Sequence, residues 1–216
     1  MSLFNRVGVA SVFLLCSITT AHAAQGFYFG AGWASNSVEG DFDGKNGFST
    51  SSEVIIVPEI DSGSGFAIFG GWQLNEQWDL EMSYYSSNHN SDWQGFDLDV
   101  EYSSLNFDAK FNFNANSENV KPYVLVGYGF GTVTVIDGSS DGFGFGDAEY
   151  YGSGLNIGIG VNYYVEPAIS FGAAFIKRLT SYDEAEGISG LRGELPYDLD
   201  GDATTLTINV AYHIQR

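Results

Sequence analysis

Leu105-Asn106-Phe107-Asp108-Ala109-Lys110-Phe111-Asn112-Phe113 alternates apolar and polar side chains without a break. Successive side chains of a β-strand point to opposite faces, so Leu105, Phe107, Ala109, Phe111 and Phe113 share one side, with Asn106, Asp108, Lys110 and Asn112 on the other. Val100 and Tyr102, just upstream, have the opposite parity, which predicts a bulge near Ser103-Ser104. Seven further segments carry the same period of two. Phe27, Phe29, Ala31 and Trp33 form one apolar face, and Phe66, Ile68, Trp72 and Leu74 the next. Trp78, Leu80, Met82 and Tyr84 follow, against Asp79, Glu81 and Ser83. Beyond the opening stretch come Val124, Val126, Tyr128 and Phe130 against three glycines, then Leu155, Ile157, Ile159, Val161 and Tyr163 against Asn156, Gly158, Gly160 and Asn162. Ile169, Phe171, Ala173 and Phe175 precede the last set, Leu206, Ile208, Val210, Tyr212 and Ile214.

The connections alternate as well. Those near Asn75, from Asn114 to Lys121, and near Glu166 are short. Those at Asn36–Ser64, Ser86–Asp97, Asp137–Glu149 and Tyr182–Asp202 are longer and rich in Gly, Ser and Asp, and read as polar loops. Eight strands with short turns at one end and long loops at the other predict an all-β fold, an eight-stranded antiparallel transmembrane up-and-down β-barrel. In the outer-membrane arrangement the long loops are extracellular and both termini periplasmic.

Composition agrees. The 216 residues suffice for one domain, and 28 Gly, 13 Tyr and 17 Phe favour strands and turns. Arg6, the apolar run Val7 to Ile18 and the small-x-small site Ala21-His22-Ala23 predict a cleaved signal peptide over 1–23, leaving 24–216 as the barrel. Cys16, the only cysteine, lies inside the apolar run behind Leu15, which argues against lipidation and leaves the mature chain without thiol chemistry. The formal charge is −19 and becomes −20 when Arg6 leaves, with 7 bases against 27 acids. Such a chain is a poor partner for nucleic acid or for an anionic membrane surface.

Period two alone does not say which face is inside, since a soluble lipocalin-like barrel also alternates. The polar stripe is rich in Gly, Ser and Asn with a few charges of both signs, which suits the lumen of a small barrel better than a solvated exterior. Trp72, Trp78, Tyr123, Tyr163 and Tyr212 fall near the short-turn ends of strands, like an interfacial aromatic girdle.

Gly71-Trp72-Gln73-Leu74-Asn75-Glu76-Gln77-Trp78-Asp79-Leu80-Glu81-Met82-Ser83-Tyr84 resembles the second-to-third-strand hairpin of the small OmpA-like and OmpX-like outer-membrane barrels. Lys121-Pro122-Tyr123-Val124-Leu125-Val126-Gly127-Tyr128-Gly129 is similar to their fifth strand, and Leu155-Asn156-Ile157-Gly158-Ile159-Gly160-Val161-Asn162-Tyr163 to their sixth. The resemblance implies outer-membrane lipid and lipopolysaccharide as surroundings, insertion by the barrel assembly machinery, no cofactor and no catalytic residues. Members commonly end in an aromatic residue; here Tyr212-His213-Ile214 runs into Gln215-Arg216.

Five features are candidates for function or for its structural counterpart. Glu81, Asp108, Lys110 and Arg178 fall on the lumen side, as a solute pathway or as a buried charge network that specifies closure. Asp41 and Asp43, with Asp198, Asp200 and Asp202, place carboxylates at alternate positions beside a Gly, a composition for hard cations such as Ca²⁺ or for a solvated acidic surface. His89-Asn90-Ser91 invites comparison with a lipid A deacylase His-x-Ser arrangement, though its flanks do not resemble that motif. His213 faces the lumen and reads as a structural hydrogen-bonder. Phe42, Phe48, Trp93, Phe96, Phe143, Phe145 and Tyr197 put aromatics on acidic loops, for partner binding or for packing on one another. The expectation is a non-enzymatic surface protein serving envelope integrity and interaction through acidic loops. A narrow porin-like pore is the alternative and a lipid A-modifying enzyme a remote third.

Overall fold

A computed structural model describes residues 26–44, 46–49, 54–93, 96–113, 119–140 and 145–214. The signal segment assigned to 1–23 lies outside them, as do Phe143, Gln215 and Arg216. The strands are β1 (Gly26–Gly40), β2 (Asn46–Ser49), β3 (Val54–Val57), β4 (Glu59–Ile60), β5 (Gly63–Gln73), β6 (Trp78–Trp93), β7 (Phe96–Asn112), β8 (Val120–Ser140), β9 (Phe145–Glu166), β10 (Ile169–Glu186) and β11 (Arg192–Ile214). The eight long ones pair antiparallel with their chain neighbours. The ring closes between β1 and β11, in register from Phe27↔Ile214 to Gly40↔Gly201. Within the lipid belt closure leaves no open edge, so the backbone donors and acceptors there pair strand to strand without water.

Sidedness is unambiguous. Phe29, Met82, Phe107, Ile159, Phe171 and Val210 are 45–61% exposed on the outside, while Asn106 and Asn156 are 0–1% exposed within. A soluble barrel would reverse this, and a continuous belt of exposed Phe, Ile, Val and Leu would associate in water. On β9 the belt runs from Leu155 to Val165, the length of a tilted transmembrane strand. At the short-turn end Phe27 stacks on Trp72 with centroids 5.7 Å apart, Trp78 meets Phe111 at 5.0 Å and Phe29 meets Tyr212 at 5.7 Å. Tyr123 does not join this girdle. It shares parity with Leu125 and Gly127, and its ring lies inside over Gly160. The turn after β5 is shaped locally: the Asn75 carboxamide oxygen accepts from the backbone N–H of Gln77 and Trp78, both at 2.9 Å.

Two expectations need correction. No bulge interrupts β7. Its register with β6 and with β8 is continuous through Ser103 and Ser104. Val100, Tyr102, Ser104, Asn106, Asp108 and Lys110 all face inward, and the interior itself changes from apolar to polar along the strand. The long links are also mostly strand. β6 to β11 run on past the lipid belt as hairpins, with Asn88, Asn90, Asp97, Asp99 and Glu101 outward and Val100 and Tyr102 inward. The alternation persists there with its polarity inverted, because the outer surroundings change from hydrocarbon to water. The first long link holds a β2–β3 hairpin, paired to β8 only at Val54↔Ser140 and Ile55↔Ser139, and β4, paired to β6 at Glu59↔Asp92 and Ile60↔Ser91.

Candidate functional site

The interior has two storeys. Within the lipid belt it is polar and charged beside a small apolar cluster of Ala67, Tyr85, Tyr123, Leu125 and Ile176; at the long-hairpin end it is a larger apolar core.

The polar storey exists because the strands supply small residues opposite large ones. A methyl group at Gly127 would collide with the Asp108 carboxylate and one at Gly129 with the Asn106 amide. Those two glycines leave the space that the network fills. All four charges expected in the lumen are there and buried. Glu81 of β6 and Lys110 of β7 form a direct ion pair, and the Tyr28 hydroxyl donates to the same Glu81 oxygen at 3.0 Å. The Lys110 ammonium lies 4.8 Å from the Tyr123 ring centre, 5.7 Å from that of Phe69 and 6.0 Å from that of Tyr28. The rings offer their negative faces to a cation withdrawn from bulk water.

Asp108 and Arg178 are joined through amides. Asn156 Nδ2 donates to Asp108 at 2.9 Å and to Asn106 Oδ1 at 3.0 Å, and Arg178 Nε donates to that same Asn106 oxygen at 3.1 Å. Arg178 also lies 4.1 Å above the Tyr85 ring centre and donates from Nη1 to Thr205. Lower down, Asn112 Nδ2 donates to Asp79 at 2.9 Å. Glu81 and Asp108 stand opposite each other on β6 and β7, and Lys110 and the Asn156 amide take up their charge from the two sides, as ions in a low-dielectric interior require. The cavity around Lys110, Glu81 and Tyr123 amounts to ≈ 20 Å³, room for about one water. This interior is filled, and the apolar storey above it holds Val100, Tyr102, Val133, Val135, Tyr150, Tyr182 and Leu199 with Phe42, Ile55, Val57 and Ile60 from the first long link.

The sequence reading missed Tyr28, Asn36, Tyr85, Ser87, Asn106, Asn156 and Thr205 as network members. Strand parity was the available signal, since each falls on the inward stripe.

Of the five acidic candidates the structure bonds Asp41 to Asp200. The Asp41 carboxylate accepts from the Asp200 backbone N–H at 2.9 Å, and Asp41 N–H donates to Asp200 O at 2.8 Å, so this pair staples β1 to β11. Asp202 pairs with Lys177 at 3.0 Å. Asp198 is exposed, and Asp43 is half-buried. Among the described residues no three His, Cys, Asp or Glu side chains gather as a metal site. His89 and Ser91 sit on the inner face of β6, not in a loop. Both His89 nitrogens are engaged, by Ser87 Oγ at 2.9 Å and Asp61 O at 2.7 Å, so the imidazole does not address Ser91. His213 Nε2 meets Ser170 Oγ at 2.8 Å between the rings of Tyr28 and Tyr164. Of the loop aromatics, Phe42 is buried edge-on against Tyr150 and Tyr182 at 5.5 and 5.4 Å, whereas Phe145 and Tyr197 are exposed and Trp93 is half-buried. The side chains of Phe48 and Phe96 lie outside the described residues.

The closed eight-strand ring has a lipid-facing belt and a filled polar lumen, and residues 7–213 match the family model of the outer membrane protein beta-barrel domain. The chain belongs to that family. Its place is therefore the bacterial outer membrane. No curated protein matches the sequence. Among solved structures it is similar to the outer membrane protein OprG of Pseudomonas aeruginosa, with TM-score 0.59, 16% identity and coverage of 91% of this chain and 99% of that one. Neisserial surface protein A gives TM-score 0.56 at 16% identity, covering 86% and 96%. Ail, the attachment invasion locus protein of Yersinia pestis, gives 0.51 at 17%, covering 88% and 99%. At these identities the likeness is one of fold.

Proposed function

We propose that this family member is a sealed membrane anchor that presents an acidic, hairpin-built crown at the cell surface for envelope integrity and interaction. In this reading the long hairpins are extracellular, and both termini and the short turns are periplasmic. The filled interior carries the proposal: a space for about one water beside the Lys110–Glu81 pair, capped by an apolar core, offers no solute path. Charge supports the second half. Twenty-one of the 27 acidic residues fall in residues 35–64, 86–104, 132–152 and 180–204, where Lys45 and Arg192 are the only bases. Ail has been solved in complex with the heparin analogue sucrose octasulfate. A crown of carboxylates would repel such a polyanion, so cationic partners fit this chain better. Divalent cations shared with lipopolysaccharide phosphates would hold the crown beside the anionic lipid surface.

Planar-bilayer recording of the purified barrel tests the sealed anchor. The expected trace is flat; steady open-channel currents would overturn the reading in favour of a narrow pore. Protease added to intact cells tests orientation, with cleavage expected in the hairpins and none at the short turns.

A further inference from the structure

The wall loosens where β10 meets β11, at the long-hairpin rim of the lipid belt. The two strands pair from Ile169↔Tyr212 up to Arg178↔Ala203 and again at Ser181↔Asp200, but no pair joins Leu179 and Thr180 to Gly201 and Asp202. Each of these four residues is paired on its other side, Leu179 and Thr180 to Leu155 and Gly154 of β9, Gly201 and Asp202 to Gly40 and Glu39 of β1. A groove of ≈ 490 Å³ opens over this gap, with Glu39, Leu179, Ser181, Asp200 and Asp202 in its lining.

The charges at the groove are ordered along the strands. On the outward stripe of β10, going away from the lipid-facing Phe175, come Lys177, Leu179 and Ser181. On that of β11, going away from the lipid-facing Leu206, come Thr204, Asp202 and Asp200. Leu179 is 40% exposed and pairs with Leu155, where the belt of β9 begins, so the groove floor continues the lipid surface. Lys177 takes up the charge of Asp202 at 3.0 Å. Glu39 stands directly opposite Asp202 on β1 with no base of its own among the described residues. Like charges set opposite each other across a ladder destabilise it, and a cation placed between them relieves the strain.

We propose that this groove seats the headgroup of an ethanolamine phospholipid, with its phosphate at Lys177 and its ammonium among Glu39, Asp200 and Asp202.

The order of charges on the wall is the order of charges in that lipid. A phospholipid standing against Phe175 and Leu206 lays its acyl chains along the belt. Its phosphate follows, at the level of the base, and then, across a short ethylene arm, its ammonium, at the level of the carboxylates. An ethanolamine ammonium offers three N–H donors, as a lysine does, whereas the methylated choline headgroup offers none. A lipopolysaccharide, denser in phosphate, would set more anions against three carboxylates and one base. A divalent ion fits less well, since among the described residues no three carboxylates gather closely enough to hold one. The site itself stands on the groove; only its assignment to the outer leaflet rests on the orientation proposed above.

Lipid retention by the detergent-purified protein, read by native mass spectrometry in the presence of EDTA, tests this. With acyl chains held constant, phosphatidylethanolamine is expected to remain as a single adduct about fivefold to tenfold more than phosphatidylcholine or phosphatidylglycerol, as partly exposed ion pairs allow, with the N-methylated ethanolamine lipid in between. Glu39→Gln with Asp202→Asn is expected to lower phosphatidylethanolamine to the phosphatidylcholine level while the heat-modifiable band stays. Equal retention of the two lipids, tighter binding of phosphatidylglycerol or of lipopolysaccharide, or an ethanolamine preference that survives the double variant would overturn the site. So would a preference that returns only when Ca²⁺ replaces EDTA, because the carboxylates would then be holding a metal ion against phosphate. Should the double variant fail to fold, the order of the ethanolamine, N-methylated and choline lipids on the unaltered protein decides. A wrong orientation would show in the protease test on cells and leave these retention ratios as they are.

Discussion

Breaking the Glu81–Lys110 pair is the sharpest test of the filled lumen. The two side chains are 5% and 8% exposed, so Glu81→Gln leaves a buried ammonium without its carboxylate. Losing one partner of a buried pair costs about 3–5 kcal/mol. The three aromatic faces within 6.0 Å of Lys110 remain, as does Asp79 across from it on β6, which sets the expectation at the lower end, about 3 kcal/mol. Lys110→Met strands the carboxylate instead, with only the Tyr28 hydroxyl at 3.0 Å to hold it, and is expected to cost more. The double variant removes both charges and keeps the volume, so it should recover most of either loss. Urea unfolding in lipid vesicles, read by heat-modifiable gel mobility, gives the three values. At a slope of about 1–3 kcal/mol per molar, the Glu81→Gln midpoint falls by roughly 1–3 M. Single losses that add to within about 0.5 kcal/mol in the double variant would mean that the two groups do not interact, and would refute the network.

Three further outcomes follow from the same architecture. Gly127→Leu, whose side chain would occupy the space of the Asp108 carboxylate, should yield no heat-modifiable band, whereas Gly193→Ala, with nothing within 4 Å, should fold as before. Phe107→Arg places a cation in the lipid belt and should lower stability by about 2–4 kcal/mol in vesicles, while Asp198→Lys on the crown leaves the urea midpoint unmoved. Phe42→Ala removes a ring buried between Tyr150 and Tyr182 and should cost about 3–5 kcal/mol locally, seen as faster proteolysis within 41–62 with the barrel band retained.

The belt was readable residue by residue, because hydrocarbon outside and polar side chains inside give each strand one unchanging stripe. The crown was not. Val100 and Tyr102 looked like a slipped register, and the stretch around His89 looked like a loop. A change of outer solvent reverses the stripe while the strand runs on unbroken through Ser103 and Ser104. Tyr123 was taken for a girdle residue on its position along the strand, although its parity with Gly127 pointed inward. The four lumen charges were found, and their partners were not. Asn and Thr on an inward stripe carry no charge to mark them.

The sequence by itself determined the strand period from alternation within each segment, the number of wall strands from the recurrence of that pattern, and the stripe that meets lipid from the Gly, Ser and Asn composition of its opposite face. The tertiary structure decided which charges meet, that Asp108 reaches Arg178 only through Asn156 and Asn106, and that the first long link fills the mouth. Those contacts join residues on different strands, up to 169 positions apart in the case of Asn36 and Thr205. Their meeting depends on ring closure and stagger, which no local pattern encodes.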